Sequence, residues 1–515
     1  MILPLPALFR RLAGLALALA LPALAQSPQP QEIQEFQAAV SLKDPVARLR
    51  ELERIKEARP GSPLAATLDS QILATRTLLV VTLDEVVGLQ KQAQAAVKGP
   101  QAFFNLTLYP DQILDHPKAS GFDKAKVLAT VKDYREQAFK MALDAEFTRG
   151  LPPATREYLP SVAAGMDVSL ARAQVAAGQP TIAQATLEGY LKAGGAASAS
   201  LHLVLADALE AQGRAKEAFE PLLAAAVENH PVGIRRARAA YAKLNGKEDG
   251  FDALLEAKSR ELPFHPQPVK PGPAWKGKAV LAELFTGSEC PPCVAADFAF
   301  DGLLEAFPAT TLVVLEYHLP IPRPDPMMNP ATKARQDYYG VNSTPTMLFD
   351  GQDKQTGGGG RGAAAGKFQQ LAAKVKGLMD AAPGATLALK ATRKGDAVSA
   401  VLEAGALPEG VDLHLALVQS QQDHKGGNKL AVHKMVVRDF ATLAPGAKAH
   451  AFDLAASEKA ADAYLTDFEK TSTRFKGFTF PVRRHTISRD GLKLVLFAQE
   501  RATKKVLQAV LADVK

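Results

Sequence analysis

The sequence predicts a multidomain protein with an all-α helical N-terminal domain, an α/β central domain and an all-β, sandwich-like C-terminal domain. Three observations predict this order. From about residue 45 to 262, the chain is rich in Ala and Leu, with apolar residues at helical spacing. Apolar strand-like runs then alternate with helix-like runs, which is typical of an α/β unit. From about residue 384 onward, strand-like runs bounded by turn residues dominate.

Residues 1–25 have the pattern of a cleaved export signal. Arg10-Arg11 forms a positive n-region, Leu12 to Leu21 forms an apolar h-region, and Ala23-Leu24-Ala25 predicts cleavage after Ala25. The apolar run is too short for a spanning helix, and no later run reaches about 18 uninterrupted apolar residues. We therefore expect a periplasmic or secreted protein with a Sec-type signal and no membrane span.

The charge balance argues against one class of partner. The chain has 61 Lys and Arg against 54 Asp and Glu, a net charge of +7 that falls to +5 without Arg10 and Arg11. Spread over this length the charge is mild, and no dense basic run with interleaved aromatic residues occurs. Nucleic acid is therefore not an expected partner.

The helical domain is predicted over residues 45–262, after a Gln- and Pro-rich segment, 26–44, that is predicted to be flexible. Two helix–turn–helix units within it resemble tetratricopeptide repeats, whose period is close to the 35-residue spacing found here. Two interpretations stay open: a groove for a partner protein, or a helical support domain. A Pro-rich linker, 263–275, follows. The first unit has Leu170, Gly178, Ala183 and Leu187, which recur as Leu205, Gly213, Ala218 and Leu222.

Residues 276–381 alternate between strand and helix patterns, and residues 382–515 read mainly as strands. A sandwich is predicted for the second segment, although a barrel fits nearly as well. The α/β strands are Val280 to Phe285, Thr311 to Tyr317 and Thr346 to Phe349, with helices at Val294 to Phe307, Ala331 to Tyr339 and Lys367 to Met379. The later strands are 386–392, 397–403, 412–418, 430–437, 492–499 and 506–511.

Cys290 and Cys293 are the two cysteines of the chain, and they stand in the sequence Cys-Pro-Pro-Cys between a predicted strand and a predicted helix. This is the layout of a thiol–disulfide exchange site. The free N–H groups and dipole of the helix N-terminus favour a thiolate at Cys290, and Cys293 follows as the resolving thiol. A loop of this size stabilises a fold little by chain entropy. The pair therefore predicts a redox-active disulfide that needs no further cofactor.

Residues 276–381 resemble the thioredoxin-like superfamily in three features: the strand–CPPC–helix order, Ser343-Thr344-Pro345-Thr346 before a strand, and Glu283 in the strand that leads to the motif. The resemblance implies a cis Thr344–Pro345 bond packed against the cysteines, with both residues shaping a peptide site. It also implies a proton-carrying role for Glu283 at Cys293, the alternative being an ordinary strand-edge glutamate. The implied activity is that of a thiol–disulfide oxidoreductase. In relatives, a proline at the position of Pro292 accompanies reducing couples, so the resemblance implies a protein that reduces its substrates. It would exchange with protein substrates and an unidentified redox partner.

The chain departs from that family at two places. Glu289 replaces the common aromatic residue before the first cysteine, and a carboxylate there disfavours a thiolate. A Pro-rich insertion, His318 to Pro330, is predicted to form a loop beside the site. Two interpretations stay open: a loop that shapes substrate access, or a loop without functional consequence, which is favoured.

Two other functions remain open. The chain is an interaction or scaffold protein if its thioredoxin-like domain is redox-inert. It is a Cu(I)-binding chaperone if Cys290 and Cys293 bind copper together with His318 and Met327 or Met328. Neither the Gly-rich run nor the later histidines match a binding motif. Gly357 to Gly360 is predicted to be a flexible turn, and His424, His433 and His485 are predicted to be surface or satisfied polar residues.

Overall fold

The computed structural model describes residues 30–515, so the predicted export signal, 1–25, lies outside the described residues. The chain divides into two compact units. The described part of the first comprises residues 30–195 and 200–221, and the second comprises 196–199 and 222–515.

The N-terminal region is helical, as the Ala- and Leu-rich pattern predicts. Its described helices, in chain order, are α1 (Pro30–Ser41), α2 (Pro45–Ala58), α3 (Ala65–Leu79), α4 (Leu83–Ala96), α5 (Pro100–Leu114), α6 (Lys124–Leu143), α7 (Ala145–Thr148), α8 (Pro153–Gly165), α9 (Asp167–Ala176), α10 (Pro180–Lys192), α11 (Ala199–Ala211), α12 (Phe219–Val227), α13 (Pro231–Asn245) and α14 (Phe251–Arg260).

Helix α1 lies within the segment 26–44 that the sequence predicts to be flexible. The reason for the difference is packing, because Ala39 is fully buried in a small core with Leu52, Ile55 and Leu68 of α2 and α3. Asp44 caps α2 by accepting hydrogen bonds from two backbone N–H groups of its first turn. The apolar face of α1 is therefore covered even though the segment is rich in Gln and Pro.

The two repeated units correspond to the helix pairs α9–α10 and α11–α12. Gly178 and Gly213 have φ values of 73° and 76°, a region that glycine adopts without steric cost. The two helix pairs also contact each other, because Ala183 and Leu187 of α10 pack with Leu201 of α11. The predicted helix–Gly turn–helix pattern is thus present at both positions.

The second unit is built around one mixed sheet. Its strands are β1 (Val280–Thr286), β2 (Leu312–His318), β3 (Thr346–Phe349), β4 (Asp353–Thr356), β7 (Val411–Asp423), β8 (Val432–Thr442), β10 (Leu492–Glu500) and β11 (Val506–Asp513). The strand order is β11-β10-β7-β8-β2-β1-β3-β4. Strand β1 is parallel to its neighbour β2 and antiparallel to its other neighbour, β3. A smaller sheet has the order β5-β6-β9, from β5 (Leu387–Lys394), β6 (Ala397–Ala404) and β9 (Ala449–Asp453).

The predicted α/β and β segments share the large sheet. Strand β2 pairs in parallel with β8 at Glu316 and Val436, which joins the strands of 276–381 to those of 382–515. This differs from the expected arrangement of an α/β domain followed by a separate sandwich, and the sequence reasoning did not anticipate it. The cause is burial: all seven residues of β2 are buried, and β8 covers the edge that β2 would otherwise expose.

Helices pack on both faces of this sheet: α15 (Val294–Ala306) and α17 (Ala364–Met379) on one, and α16 (Pro330–Tyr339) on the other. A further helix, α18 (Leu454–Thr471), lies in the segment predicted to be all-β. Its buried residues Leu454, Ala461 and Leu465 fit a helical period, and Asp453 caps its N-terminus.

The Pro-rich segment 263–275 lies within the second unit. Phe264 stacks on Phe368 of α17 with ring centroids 5.0 Å apart, and the Val269 N–H donates to the Ala306 carbonyl oxygen. Trp275 packs against the core. The prolines therefore follow the surface of the α/β unit.

Among residues 30–515, none of the helices combines the length and apolar character that crossing a membrane requires.

Candidate functional site

Cys290 and Cys293 form a disulfide at the start of α15. Their Cα atoms are 5.3 Å apart, and a short 3-10 turn, Pro291–Cys293, leads into the helix. Both cysteines have an exposed fraction of 0%, whereas Pro291 and Pro292 between them are exposed. The motif therefore presents its prolines to solvent and keeps its sulfur atoms covered.

Thr344 and Pro345 lie beside this disulfide. The Thr344–Pro345 peptide bond is cis, as the resemblance implied. Thr344 Oγ1 lies 3.3 Å from Cys290 Sγ, and the same hydroxyl donates to the Ile321 carbonyl oxygen at 2.8 Å. The structure thus brings together four of the five residues singled out from the sequence.

Glu283, the fifth, lies on the opposite face of β1 from α15. Successive side chains of a strand point to opposite faces. Thr286 contacts Asp297 of α15, whereas Glu283, three positions earlier, contacts Arg335 of α16. The fully buried Glu283 carboxylate accepts hydrogen bonds from three side chains, so its geometry is that of an ion-pair anchor. The donors are Arg335 (2.6 and 3.2 Å), Tyr339 (2.6 Å) and Tyr317 (3.0 Å).

Two carboxylates that sequence reasoning missed lie on the cysteine-bearing face. Asp297 follows Cys293 by one helical turn, which places the two side chains on the same face of α15. It accepts the Thr286 hydroxyl at 2.9 and 3.0 Å. Glu316 of β2 shares this face because it is in register with Leu284, two residues before Thr286. Among the described residues, neither oxygen of Glu316 has a hydrogen-bond partner.

Burial controls the charge of these groups. It raises the pKa of Asp297 well above its usual range, and the Thr286 hydrogen bond only partly offsets the effect. Burial likewise raises the pKa of Glu316, with repulsion from Asp297 and Asp301 adding to it. Asp301, on the same helix, has its pKa raised by burial to about 7, although Lys434 lies 3.6 Å away. Burial therefore favours the protonated form of both Asp297 and Glu316 on the cysteine-bearing face.

The predicted insertion forms a loop beside the site, as expected. Its first residue, His318, is fully buried, and the His318 Nδ1 lies 3.1 Å from Asp325 Oδ2. Burial opposes ionisation of Asp325, but His318 and two backbone N–H groups outweigh it and hold the pKa of Asp325 well below its usual range. The Ser288 N–H, two residues before Cys290, is one of those donors.

The copper alternative has less geometric support. His318 is engaged with Asp325, and its ring meets that of His433 edge-on at 4.9 Å. Within residues 30–515, no group of three or more His, Cys, Asp or Glu side chains is arranged to hold a metal ion. His433, predicted to be a surface or satisfied polar residue, is buried beside His318, and burial lowers its pKa to about 3.

Two glycine-containing loops clamp the motif, and neither was recognised from the sequence. The Gly359 N–H donates to the Pro292 carbonyl oxygen at 2.7 Å, and a Cβ at Gly358 would collide with that oxygen. On the other side, the Asn428 N–H donates to the Ser288 carbonyl oxygen and the Gly427 N–H to Glu289 Oε1. The run of glycines at 357–360 was the available signal, because close backbone approach requires a residue without Cβ.

Comparison with known proteins adds little to this geometry. No family model matches the chain, and no curated protein does. Among solved structures, the chain is similar to HBP35 of Porphyromonas gingivalis, with 14% identity and a TM-score of 0.31 over 46% of this chain and 76% of that one.

Proposed function

We propose that this chain is an exported thiol–disulfide oxidoreductase whose thioredoxin-like site is formed by Cys290, Cys293, Thr344 and Pro345. The observation that carries the proposal is the Cys290–Cys293 disulfide at the start of α15, in contact with Thr344, in a chain without other cysteines. A strand–CxxC–helix arrangement concentrates N–H groups and positive dipole at the first cysteine, which favours its thiolate. The residues at 1–25 supply the proposed export signal.

The proposed reaction is reduction of a protein disulfide in two exchanges. The Cys290 thiolate attacks one sulfur of the substrate disulfide, forms a mixed disulfide and expels the other substrate sulfur as a thiolate. The Cys293 thiolate then attacks Cys290 Sγ, closes the Cys290–Cys293 bond and releases the second substrate thiolate. Two electrons pass from the dithiol to the substrate. An external dithiol partner must reduce the Cys290–Cys293 disulfide before the next cycle.

The buried Cys293 thiol must lose its proton before the second exchange. We assign Asp297 as the acceptor, in place of Glu283, because Asp297 shares the helix face of Cys293 and its pKa is raised. Glu283 is held by Arg335 on the other face of the sheet. A carboxylate with a raised pKa takes a proton from a thiol more readily than one locked in an ion pair.

The test is a redox titration of the exported chain. The protein is equilibrated in graded thiol–disulfide buffers, its free thiols are trapped with a maleimide, and the added mass on Cys290 and Cys293 is counted. We expect one two-electron transition between about −120 and −270 mV, the span of known exchange enzymes. A disulfide that stays closed far below that range, or thiols that never pair, would overturn the proposal.

A second variant tests the order of attack. Cys293→Ser should accumulate a mixed disulfide through Cys290 with an oxidised protein substrate, whereas Cys290→Ser should not. Equal trapping by both variants would contradict the assignment of Cys290 as the nucleophile.

A scaffold or interaction protein is the second candidate, and the complete burial of both cysteines favours it. In that case the disulfide is structural and inert, and the N-terminal helices provide the binding surface. The same titration separates the two, because an inert disulfide shows no transition in the range of exchange enzymes.

A further inference from the structure

Cys290 is placed as a nucleophile, yet its exposed fraction is 0%. Attack on a disulfide requires the incoming sulfur to approach Cys290 Sγ directly. The structure must therefore open before a protein disulfide can react.

The segment Leu319–Pro324, here called the lid, lies against the redox motif. The Leu319 and Ile321 carbonyl oxygens would stand 3.2 and 3.3 Å from a Cβ built on Gly287, three residues before Cys290. The Thr344 hydroxyl bridges the lid to the sulfur, at 2.8 Å from the Ile321 oxygen and 3.3 Å from Cys290 Sγ. The lid therefore lies beside Cys290 and is joined to its sulfur through the Thr344 hydroxyl.

Both ends of the lid are held by buried groups, whereas its middle is exposed. At one end, the Leu319 N–H donates to the Thr286 carbonyl oxygen at 2.9 Å. At the other end, the buried Asp325 accepts from the Ser288 and Met327 N–H groups. Between them, Pro322 and Arg323 are exposed. Local opening takes place where buried contacts are few, so the exposed middle is the part that can move.

A second segment, Ser472–Ile487, here called the strap, runs along the lid. Arg474 Nη2 donates to the Pro322 carbonyl oxygen at 3.3 Å, and the Arg484 N–H donates to the Pro326 oxygen at 3.0 Å. The strap itself is anchored to β8, because Arg438 donates to the carbonyl oxygens of residues 484–486. The strap thus bonds the lid at Pro322 and the chain just beyond the lid at Pro326.

We infer that the lid is a gate over Cys290, held shut by Thr344 and the strap, and that a protein disulfide reacts only after the lid is displaced. The inference rests on the proposed function, since a gate matters only if Cys290 exchanges. The inference adds to that function a size selectivity that depends on the insertion. Small thiols and probes reach Cys290 more readily than folded protein partners do.

The gate can be measured without any substrate. The reduced, exported chain is alkylated with N-ethylmaleimide and, separately, with a maleimide that carries a polyethylene glycol chain. Rates are taken on the high-pH plateau, where Cys290 is fully a thiolate, so that a change in its pKa does not enter. The ratio of the two rates, divided by the same ratio in urea, reports the size of the opening.

We expect the bulky probe to be slowed at least about tenfold more than the small one in the folded protein. Thr344→Val and Arg474→Ala each remove one hydrogen bond that holds the lid, and each should reduce this selectivity by about fivefold. Arg501→Ala is the matched control, because Arg501 pairs with Asp412 and not with the lid. It should leave the selectivity unchanged.

Equal selectivity in the folded and unfolded wild-type protein would overturn the gate, as would two lid variants that stay within about twofold of the wild type. The result is separable from that of the redox titration. If the lid variants lose selectivity while the titration shows no transition, the lid controls access to Cys290 but the oxidoreductase proposal fails. If the titration succeeds and the lid variants change nothing, only the gate fails.

Discussion

The two faces of β1 hold buried carboxylates in opposite circumstances. Toward α16, Glu283 receives hydrogen bonds from Arg335, Tyr317 and Tyr339. Toward α15, Asp297 has the Thr286 hydroxyl, and Glu316 has no hydrogen-bond partner among the described residues. All three are buried, so burial does not distinguish them. A carboxylate with a full set of donors is a structural charge, and one without them becomes a group that exchanges protons.

The largest expected effect comes from removing Glu283, the carboxylate with a full set of hydrogen-bond donors. Glu283→Leu leaves the Arg335 guanidinium buried without its anion, which should lower the free energy of unfolding by about 3–5 kcal/mol. The measurement is urea denaturation followed by circular dichroism.

Glu403→Gln, on an exposed position of β6, is the control and should change the unfolding free energy by less than about 0.5 kcal/mol. If Glu283→Leu instead costs under about 1 kcal/mol, the anchor assignment is wrong.

The next effect concerns the other face and is kinetic. Asp297→Asn removes the proposed proton acceptor of Cys293, and we expect resolution of the mixed disulfide near neutral pH to slow by about a hundredfold. Rapid-quench measurement of the resolution step across pH is the readout. The loss should shrink at high pH, where the Cys293 thiol ionises without help.

Thr286→Val removes the hydroxyl that donates to Asp297 but keeps the carboxylate, so it is the matched variant. Its resolution rate should fall by less than that of Asp297→Asn. If Asp297→Asn resolves the mixed disulfide at the wild-type rate at every pH, another group accepts the Cys293 proton.

A smaller effect is expected from removing the unpartnered carboxylate. The pKa of Glu316 is raised from an ordinary value of 4.5, so its contribution to stability is present at low pH and is lost as the pH rises through the folded-state pKa. Glu316→Leu should therefore be more stable than the wild type at pH 8, by about 2 kcal/mol.

The advantage of Glu316→Leu should disappear below pH 4, where the glutamate is protonated in both the folded and unfolded states. Thermal unfolding at the two pH values checks this. A variant that is less stable than the wild type at pH 8 would show that a partner was missed.

The smallest expected effect belongs to His433, which lies beside His318. Burial lowers the pKa of His433 to about 3 from 6.5, so its stabilising contribution is present above pH 6.5 and is lost as the pH falls toward 3. Replacing it with Gln should reduce the loss of unfolding free energy between pH 6.5 and 5.5 by about 1 kcal/mol. An identical pH profile in wild type and His433→Gln would mean that another group controls the acid sensitivity.

Local pattern was enough to predict most secondary structure around the site. The strand and helix that flank the Cys-Pro-Pro-Cys motif lie within one residue of their predicted ends, as β1 and α15 show. The pattern did not predict which face of β1 Glu283 occupies, because a shift of one residue along a strand moves a side chain to the other face. Helix α18 has a helical period and an Asp453 cap that the sequence displays, and it was missed because the segment was assigned to strands as a whole. The role of the glycine loop at 357–360 was missed because its contact is made with Pro292, which is distant in the sequence.

The sequence by itself determined the helical N-terminal region, the alternation of strands and helices around the motif, and the proximity of Cys290 to Cys293. These features follow from local periodicity and from a spacing of three residues. The tertiary structure alone decided that β8 joins β2, that Asp297 and not Glu283 shares a face with Cys293, and that the lid lies beside Cys290. The physical reason is that strand pairing, helix packing and loop closure bring together residues whose separation in sequence carries no record of their contact.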